Sequence, residues 1–171
     1  MSIKVNVVDG DIAAVPAQAL ITAVNSGGMW FGGIDGVIMR AAGDQFHGQA
    51  AEALRTDPTV KAVACKKLGW HYGMFVDVVF VIDDLDEPLY EVVRRGLATA
   101  SQAGYERVSM PAIRFGVMRG IGGTEVEKID GIARAIQDQE ADPENSIKEL
   151  SVVVFGDRAL SAQLRQRLDP A

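Results

Sequence analysis

Hydrophobic and polar positions along this chain repeat with two periods, one typical of β-strands and one typical of α-helices. Alternating or continuously apolar segments predict strands at residues 3–8, 19–23, 60–66, 75–82, 107–111 and 150–155. Apolar residues at helical spacing predict helices at residues 34–42, 89–103, 126–136 and 160–168. Because strands and helices alternate, we expect a three-layer α/β fold around a mostly parallel sheet.

The length of the chain predicts one domain spanning residues 1–171. A domain of this size buries roughly 70% of the surface that its unfolded chain exposes, so it needs no disulfide or metal to fold. Its one cysteine, Cys65, excludes an internal disulfide and fits a reducing compartment. No signal-peptide pattern opens the sequence, and the apolar run at 75–82 is too short to span a bilayer. These features predict a cytoplasmic protein with no membrane partner.

Charge narrows the classes of ligand. The chain carries 17 Lys and Arg against 23 Asp and Glu, a net charge of -6, and its basic pairs at 66–67 and 94–95 are isolated. Generic nucleic-acid binding usually requires a basic face, so we expect that this protein does not bind nucleic acid as a generic ligand. His47, His71 and Cys65 are too few and too widely spaced for a metal site, and we predict neither a metal nor a cofactor. If the ligand is an anion, backbone amides must hold much of it.

Two glycine-rich loops, at 25–33 and 114–123, follow predicted strands. In mostly parallel sheets, ligands bind at the carboxyl ends of strands, so both loops are candidates for a binding site. Gly32 and Gly33 permit close approach of a ligand, and the helix that begins beside them favours a phosphate. A flexible loop with glycines for its turns explains the first loop equally well. Neither a P-loop nor a G-x-G-x-x-G start is present, which disfavours the common nucleotide enzymes of other α/β families.

The order of several short motifs is more specific than any one of them. Gly10-Asp11-Ile12, a buried strand, Asn25, the run Gly32-Gly33-Ile34-Asp35-Gly36 and a helix ending Ala41-Ala42-Gly43 resemble the start of macrodomains. Further on, Pro111-Ala112-Ile113 and Gly116-Val117 look like the second phosphate loop of that family. The resemblance implies a mixed, mostly parallel central sheet of about six strands between helical layers, with a pocket for ADP-ribose.

The resemblance also implies roles for single residues. Asp11 would accept a hydrogen bond from the adenine amino group, and the Ile12 amide would face the same base. Without the resemblance, Asp11 is better explained as a turn or helix-cap residue. Asn25 would contact the distal ribose, and Asp35 matches the acidic residue of hydrolytic members. Without the resemblance, Asn25 is explained as an asparagine in a turn. Asp35 is likewise explained as an acidic residue in the first turn of a helix, where its charge offsets the helix dipole.

The remaining candidates surround the phosphates and the base. The resemblance places the diphosphate and distal ribose against Gly32, Gly33, Ile34, Gly116, Val117 and Met118. Arg119 stands where glycine is usual, and it either contacts an anionic group of the ligand or points into solvent. Phe155 either stacks near adenine or belongs to the core.

The resemblance implies ADP-ribose binding and hydrolysis of ADP-ribosyl esters, whether on mono-ADP-ribosylated protein or in O-acetyl-ADP-ribose. A departing carboxylate, whose acid has a pKa of about 4, needs no strong general acid. Asp35 and Asn25 would therefore suffice to orient a water and the ribose. Thr22 replaces the first asparagine of the family motif, and Met39 stands where hydrolytic members often carry histidine. Both departures favour the alternative, a non-catalytic reader of ADP-ribose.

Overall fold

The computed structural model describes residues 2–28, 30, 32–116 and 119–169. The described residues form six strands in one sheet, in the spatial order β1-β6-β5-β2-β4-β3. The strands are β1 (Lys4–Asp9), β2 (Ala17–Val24), β3 (Ala62–Cys65), β4 (Phe75–Ile82), β5 (Arg107–Pro111) and β6 (Glu149–Val154). β3 pairs with β4 in antiparallel register, and every other neighbouring pair is parallel. The mixed, mostly parallel sheet is therefore confirmed.

Helices cover both faces of the sheet. They are α1 (Gly33–Ala42), α2 (Gln45–Thr56), α3 (Leu89–Gln102), α4 (Glu125–Ala141) and α5 (Arg158–Leu168), and a short 3₁₀ turn occupies Ile12–Ala14. Buried residues of α3, α4 and α5 form one core cluster with the sheet, and buried residues of α1 and α2 form the other. Three layers result, as the alternation of elements predicted. Within the described part of the chain, no helix combines the length and apolar character needed to cross a membrane.

The strand β4 shows why the core strands read as continuous apolar runs. Val79 and Val81 pack in the cluster under α3, while Val78 and Phe80 pack in the cluster under α1 and α2. A strand that is buried on both faces loses the alternation of a half-exposed strand. The continuous apolar run of β4 therefore identifies this strand from the sequence as part of the central sheet.

One helix, α2, was missed by the sequence pattern. Its buried residues are Phe46, His47 and Ala50, and a glycine, Gly48, lies inside it. So narrow an apolar stripe, flanked by polar residues, gives little helical periodicity. Elsewhere the predicted elements are present with shifted ends: the strand predicted at 60–66 spans only 62–65, and the helix predicted at 126–136 extends over 125–141.

Candidate functional site

A cleft of about 1220 Å³ opens at the carboxyl edge of the parallel strands. Its walls come from the chain after β1, β2, β4, β5 and β6, because the carboxyl ends of parallel strands meet at one edge. Ten of the twelve residues selected from the sequence line this cleft: Asp11, Ile12, Asn25, Gly32, Gly33, Ile34, Asp35, Gly116, Arg119 and Phe155. The other two, Val117 and Met118, lie outside the described residues.

Asp11 lines the cleft and is the N-cap of the 3₁₀ turn at Ile12–Ala14. Its Oδ1 accepts a hydrogen bond from the Ala13 amide at 2.9 Å. The side chain is exposed and lines the cleft, whereas Ile12 beside it is buried. The capping role that the sequence allowed is therefore real, and it is compatible with a carboxylate that faces a ligand.

The first glycine-rich loop is held by hydrogen bonds to its own Asn25 and to Asp84, an acidic residue just after β4. Asn25 Oδ1 accepts a hydrogen bond from the Gly27 amide at 2.9 Å, and the Asn25 carbonyl accepts one from the Trp30 indole at 2.8 Å. Asp84, which follows β4, accepts a hydrogen bond from the Ser26 amide at 2.8 Å. That amide holds the pKa of the Asp84 carboxyl below its ordinary value.

Helix α1 begins at this loop, and no side chain among the described residues caps its start. Its N-cap is Gly32, and Gly33 has a φ of 55°, a left-handed backbone conformation that favours glycine. Without a capping side chain, the first amides of the helix remain available to an anion in the cleft.

Asp35, in the first turn of α1, is joined to a histidine that the sequence reading had left unassigned. His47, on α2, places Nε2 at 2.8 Å from Asp35 Oδ1. A carboxylate only accepts, so Nε2 carries the proton in this pair. The His47 ring is 5% exposed and packs against Phe80 and Trp30, at 4.8 and 5.7 Å between ring centroids. Its Nδ1 is buried with no hydrogen-bond partner among the described residues.

The second glycine-rich loop is anchored by a buried ion pair. Arg114 donates to both carboxylate oxygens of Asp83, at 2.9 and 2.7 Å, and to the Glu87 carbonyl at 2.7 Å. The side chains of Arg114 and Asp83 are 2% and 6% exposed. Arg114 also has a φ of 68°, a conformation uncommon for a residue with a side chain. The pair therefore holds a strained corner of the loop against the end of β4.

Lys128 supports the same loop from beneath. This buried ammonium donates to the carbonyls of Arg114 and Arg119, at 2.8 and 2.9 Å, and lies 5.3 Å from the centre of the Phe115 ring. Burial, together with the nearby Arg114 guanidinium, lowers the pKa of Lys128. The sequence singled out neither Lys128 nor Asp83, since nothing local distinguishes them from other charged residues.

Two predictions with open alternatives are resolved in part. Phe155 is 83% exposed and lines the cleft, which excludes the core alternative and leaves stacking near adenine as a prediction. Arg119 lies at the rim, where it is paired with Glu125, at 2.6 Å, and with Asp157, rather than pointing into solvent without partners. Both of its partners are carboxylates, so the guanidinium charge is already paired at the rim.

The two departures from the family pattern occupy different places. Thr22 is buried and lines the main cleft, whereas Met39 is exposed and lines a smaller cavity of about 400 Å³. His47 lines that smaller cavity as well, so the Asp35–His47 pair lies between the two spaces. Within the described ranges, no group of three His, Cys, Asp or Glu side chains is arranged to hold a metal ion.

A mixed six-stranded sheet between helical layers, with a cleft at its carboxyl edge walled by two glycine-rich loops, defines a three-layer α/β fold. The family model of the Macro domain matches residues 21–128, more than half of the chain. The chain therefore belongs to the macrodomain family.

Relatives and solved structures agree with this assignment. A macro domain-containing protein of Streptomyces coelicolor is 29% identical over 92% of this chain and 95% of its own length. An O-acetyl-ADP-ribose deacetylase of Enterobacter cloacae is 32% identical, with 68% of this chain and 69% of the relative covered.

Two solved structures show the same fold at low identity. A mutant Oceanobacillus iheyensis macrodomain with ADPR superposes with a TM-score of 0.72 at 18% identity, covering 96% of this chain and 91% of that one. A Trypanosoma brucei macrodomain in complex with ADP-ribose superposes with a TM-score of 0.71 at 15% identity, covering 95% and 68%.

Proposed function

We propose that the main cleft binds ADP-ribose. The observation that carries the proposal is convergence: ten residues selected from separate stretches of the sequence line one cleft at the carboxyl edge of the sheet. Membership of the macrodomain family and the fold shared with ADP-ribose complexes support it. ADP-ribose is the candidate as a free molecule or as part of an ADP-ribosylated protein or small molecule.

In this proposal the ligand lies across the carboxyl ends of the strands. Asp11 and the Ile12 amide hold the adenine, and Phe155 offers an exposed ring for stacking at the end of β6. The diphosphate lies at the uncapped start of α1, where the amides after Gly32 and the helix dipole favour negative charge. Because the chain is acidic overall, these neutral amides allow an anion to bind without a basic patch.

The second loop covers the opposite side of the diphosphate. Gly116 lines the cleft, and the amides of Val117 and Met118 are proposed to complete this wall. Arg119 is proposed to exchange one of its two carboxylate partners for an anionic group of the ligand. Glu125 and Asp157 would then set how readily it does so.

We propose hydrolysis of ADP-ribosyl esters as the activity. Asp35 takes a proton from a water that attacks the anomeric carbon, the bond to the ester oxygen breaks, and the carboxylate leaves with the bonding electrons. Asn25 holds the distal ribose while this occurs. His47 is proposed as a positioning residue, because its N–H fixes one oxygen of Asp35 and turns the carboxylate toward the ribose. A relative named as an O-acetyl-ADP-ribose deacetylase supports hydrolysis of ADP-ribose esters as the class of reaction. With O-acetyl-ADP-ribose the water instead attacks the acetyl carbonyl carbon, the bond from that carbon to the ribose oxygen breaks, and the proton taken by Asp35 passes to the departing ribose oxygen.

The second candidate function is a reader that binds ADP-ribose without turnover. Met39 favours it, since this residue brings no titratable group beside Asp35. In a reader, the Asp35–His47 pair would only fix the first turn of α1 to α2.

Calorimetry with ADP-ribose tests the binding proposal. Asp11→Ala removes a charged acceptor and should weaken affinity by about 10- to 100-fold. Arg119→Ala should weaken affinity by about tenfold, because it removes the donor and leaves two acids near the anion. Asp44→Asn, at an exposed α2 start that does not line the cleft, is the matched control and should bind as the wild type does. Absence of wild-type binding would overturn the proposal.

A turnover assay separates hydrolase from reader. With an ester-linked mono-ADP-ribosylated protein and with O-acetyl-ADP-ribose, Asp35→Asn and Asn25→Ala should each lower kcat by about 100-fold or more. Both variants should keep the wild-type circular dichroism spectrum. A wild type that binds ADP-ribose and cleaves neither substrate is a reader.

A further inference from the structure

At the edge of the sheet opposite the cleft, the chain before β4 and the start of β4 expose a series of apolar side chains. β3 runs antiparallel to β4, so the connection between them lies at the amino end of β4, away from the carboxyl edge. From Leu68 to Val76, every second residue is apolar and about half exposed or more. These residues, called here the 68–76 strip, are Leu68 (72% exposed), Trp70 (81%), Tyr72 (59%), Met74 (54%) and Val76 (49%).

Of the residues between them, His71 and Phe75 face inward, Gly73 is partly buried and Gly69 is exposed, so the alternation is regular from Trp70 to Val76. His71 and Phe75 are buried and stack with ring centroids 5.0 Å apart. A Cβ at Gly73 would lie 2.5 Å from the Phe75 ring, so the backbone is pressed against the protein there. From Trp70 to Val76 the segment therefore alternates between buried and exposed positions, and the exposed side chains at Trp70, Tyr72, Met74 and Val76 are apolar.

Backbone hydrogen bonds hold this segment in place. The Tyr72 amide donates to the Ala41 carbonyl at 3.2 Å, and the Met74 amide donates to the Ala13 carbonyl at 2.7 Å. The Leu68 amide donates to Gln45 Oε1 at 2.8 Å. The apolar face is thus preformed, and a partner that covers it loses little entropy in ordering the backbone.

The size of the strip fits half of a dimer interface. At roughly 150–250 Å² for a large side chain, the exposed fractions amount to an apolar patch on the order of 600 Å². The largest apolar patch on a typical monomer is about 300–600 Å², and such patches are often functional. A standard interface buries about 800 Å² on each partner, of which about 65% is apolar in homodimers. The strip alone supplies that apolar share.

We propose that the 68–76 strip is the surface on which a second copy of this chain docks. The five side chains are spaced evenly about Tyr72, so a two-fold axis at Tyr72 sets Trp70 against Met74 and Leu68 against Val76 of the other copy. Such pairing is self-complementary, as a two-fold interface requires, and brings an aromatic ring to a thioether. A net charge of -6 disfavours an anionic membrane as the occupant instead. Because the strip lies opposite the cleft, both clefts stay open in the dimer.

Sedimentation velocity across the micromolar range tests the proposal. The wild type should reach twice its monomer mass of 18.3 kDa, and Trp70→Glu should weaken the association by about 30-fold or more. The matched control is Val126→Glu, which changes an equally exposed apolar residue on α4 and should leave the association intact. Trp70→Glu should bind ADP-ribose as the wild type does. A wild type that stays monomeric, or a dimer that withstands Trp70→Glu, overturns the proposal.

A cysteine at the predicted axis gives a second readout. Under mild oxidation, Tyr72→Cys should form a disulfide-linked dimer, whereas Val126→Cys should not. The native Cys65 does not compete, because it is buried and burial raises the pKa of its thiol to about 12. If Tyr72→Cys stays uncrosslinked and the wild-type monomer instead binds vesicles of neutral phosphatidylcholine, the strip is a membrane-contact surface and the dimer is excluded.

Discussion

At the residue scale, the most consequential contact is the one between Asp35 and His47. An acid in the first turn of a helix has an ordinary structural explanation, since it offsets the dipole. A buried imidazole that donates to the same carboxylate, with its second nitrogen unpaired among the described residues, is not needed for that purpose. The buried donor supports a role for His47 in orienting Asp35.

Substitutions of His47 separate positioning from packing. His47→Leu keeps the buried volume but removes the donor, and it should lower kcat on an ADP-ribosyl ester by about 10- to 100-fold with KM little changed. His47→Gln can still donate through its amide, and it should recover most of the rate. Initial-rate kinetics and the pH–rate profile of the three proteins are the measurements.

The proposed role fails if both His47 variants retain the wild-type kcat while Asp35→Asn loses it. It also fails if His47→Gln is as slow as His47→Leu, since the lost function would then be packing. ADP-ribose affinity, measured alongside, should be the same in all three proteins.

At the scale of elements, the segment after β4 connects the two glycine-rich loops. Asp83 holds the second loop through Arg114, and Asp84 holds the first loop through the Ser26 amide. Lys128 of α4 adds two hydrogen bonds to carbonyls of the second loop. Two loops that are remote in sequence are thereby fixed to the same short stretch of chain, Asp83 and Asp84. This shared attachment sets the width of the cleft between the two loops.

Breaking the Asp83–Arg114 pair should be costly. Asp83→Ala leaves a buried guanidinium without its counter-charge and should reduce the free energy of unfolding by about 3–5 kcal/mol. Asp86→Ala, at an exposed acid of the same connection, should change it by less than about 0.5 kcal/mol. Urea denaturation of both variants is the measurement.

A double variant distinguishes stability from function. Asp83→Leu with Arg114→Met replaces the pair by apolar side chains and should restore most of the unfolding free energy. ADP-ribose affinity should stay below that of the wild type, because the loop loses the contact that holds its left-handed corner at Arg114. Wild-type affinity in the double variant would show that the ion pair does not shape the cleft.

At the scale of the whole molecule, several carboxylates join distant parts of the fold. Asp9 of β1 accepts hydrogen bonds from Ser161 and Arg165 of α5, and these lower its pKa. Asp157 caps α5 and pairs with Arg119, and the Leu160 amide and that arginine lower its pKa. Glu87 pairs with Arg95 of α3, which lowers its pKa as well.

The sign of these shifts predicts loss of stability in acid. A carboxyl whose pKa is lower in the folded state contributes stability above its unfolded pKa of about 4, and loses it as the pH falls through its folded pKa. These groups should therefore leave the melting temperature unchanged between about pH 8 and pH 6. At pH values under about 5, the melting temperature should decrease. Asp9→Asn should melt lower at neutral pH and show a shallower acid decline. Thermal melts by circular dichroism at constant ionic strength measure both effects. If the melting temperature of Asp9→Asn decreases in acid as steeply as that of the wild type, this role of Asp9 is contradicted.

Much of the fold was predictable because it depends on local patterns. Strands buried on both faces read as apolar runs, as in β4, and helices with wide apolar stripes, such as α3, show their period directly. The uncapped start of α1 followed from Gly32 and Gly33, which act through their own backbone. Because parallel strands meet at one edge, the order of the elements also placed both glycine-rich loops there, and the resemblance to macrodomains supplied the other candidate residues that line the same cleft.

The tertiary structure alone decided the contacts that shape the site. His47 meets Asp35 through α2, a helix whose narrow apolar stripe the sequence did not reveal. Arg114 meets Asp83 across 31 positions of chain. Hydrogen bonds between such distant side chains depend on how layers pack, and a single sequence contains no local period that encodes them. The residues along the cleft were thus determined by the sequence, while the partners that hold them in position were determined by packing.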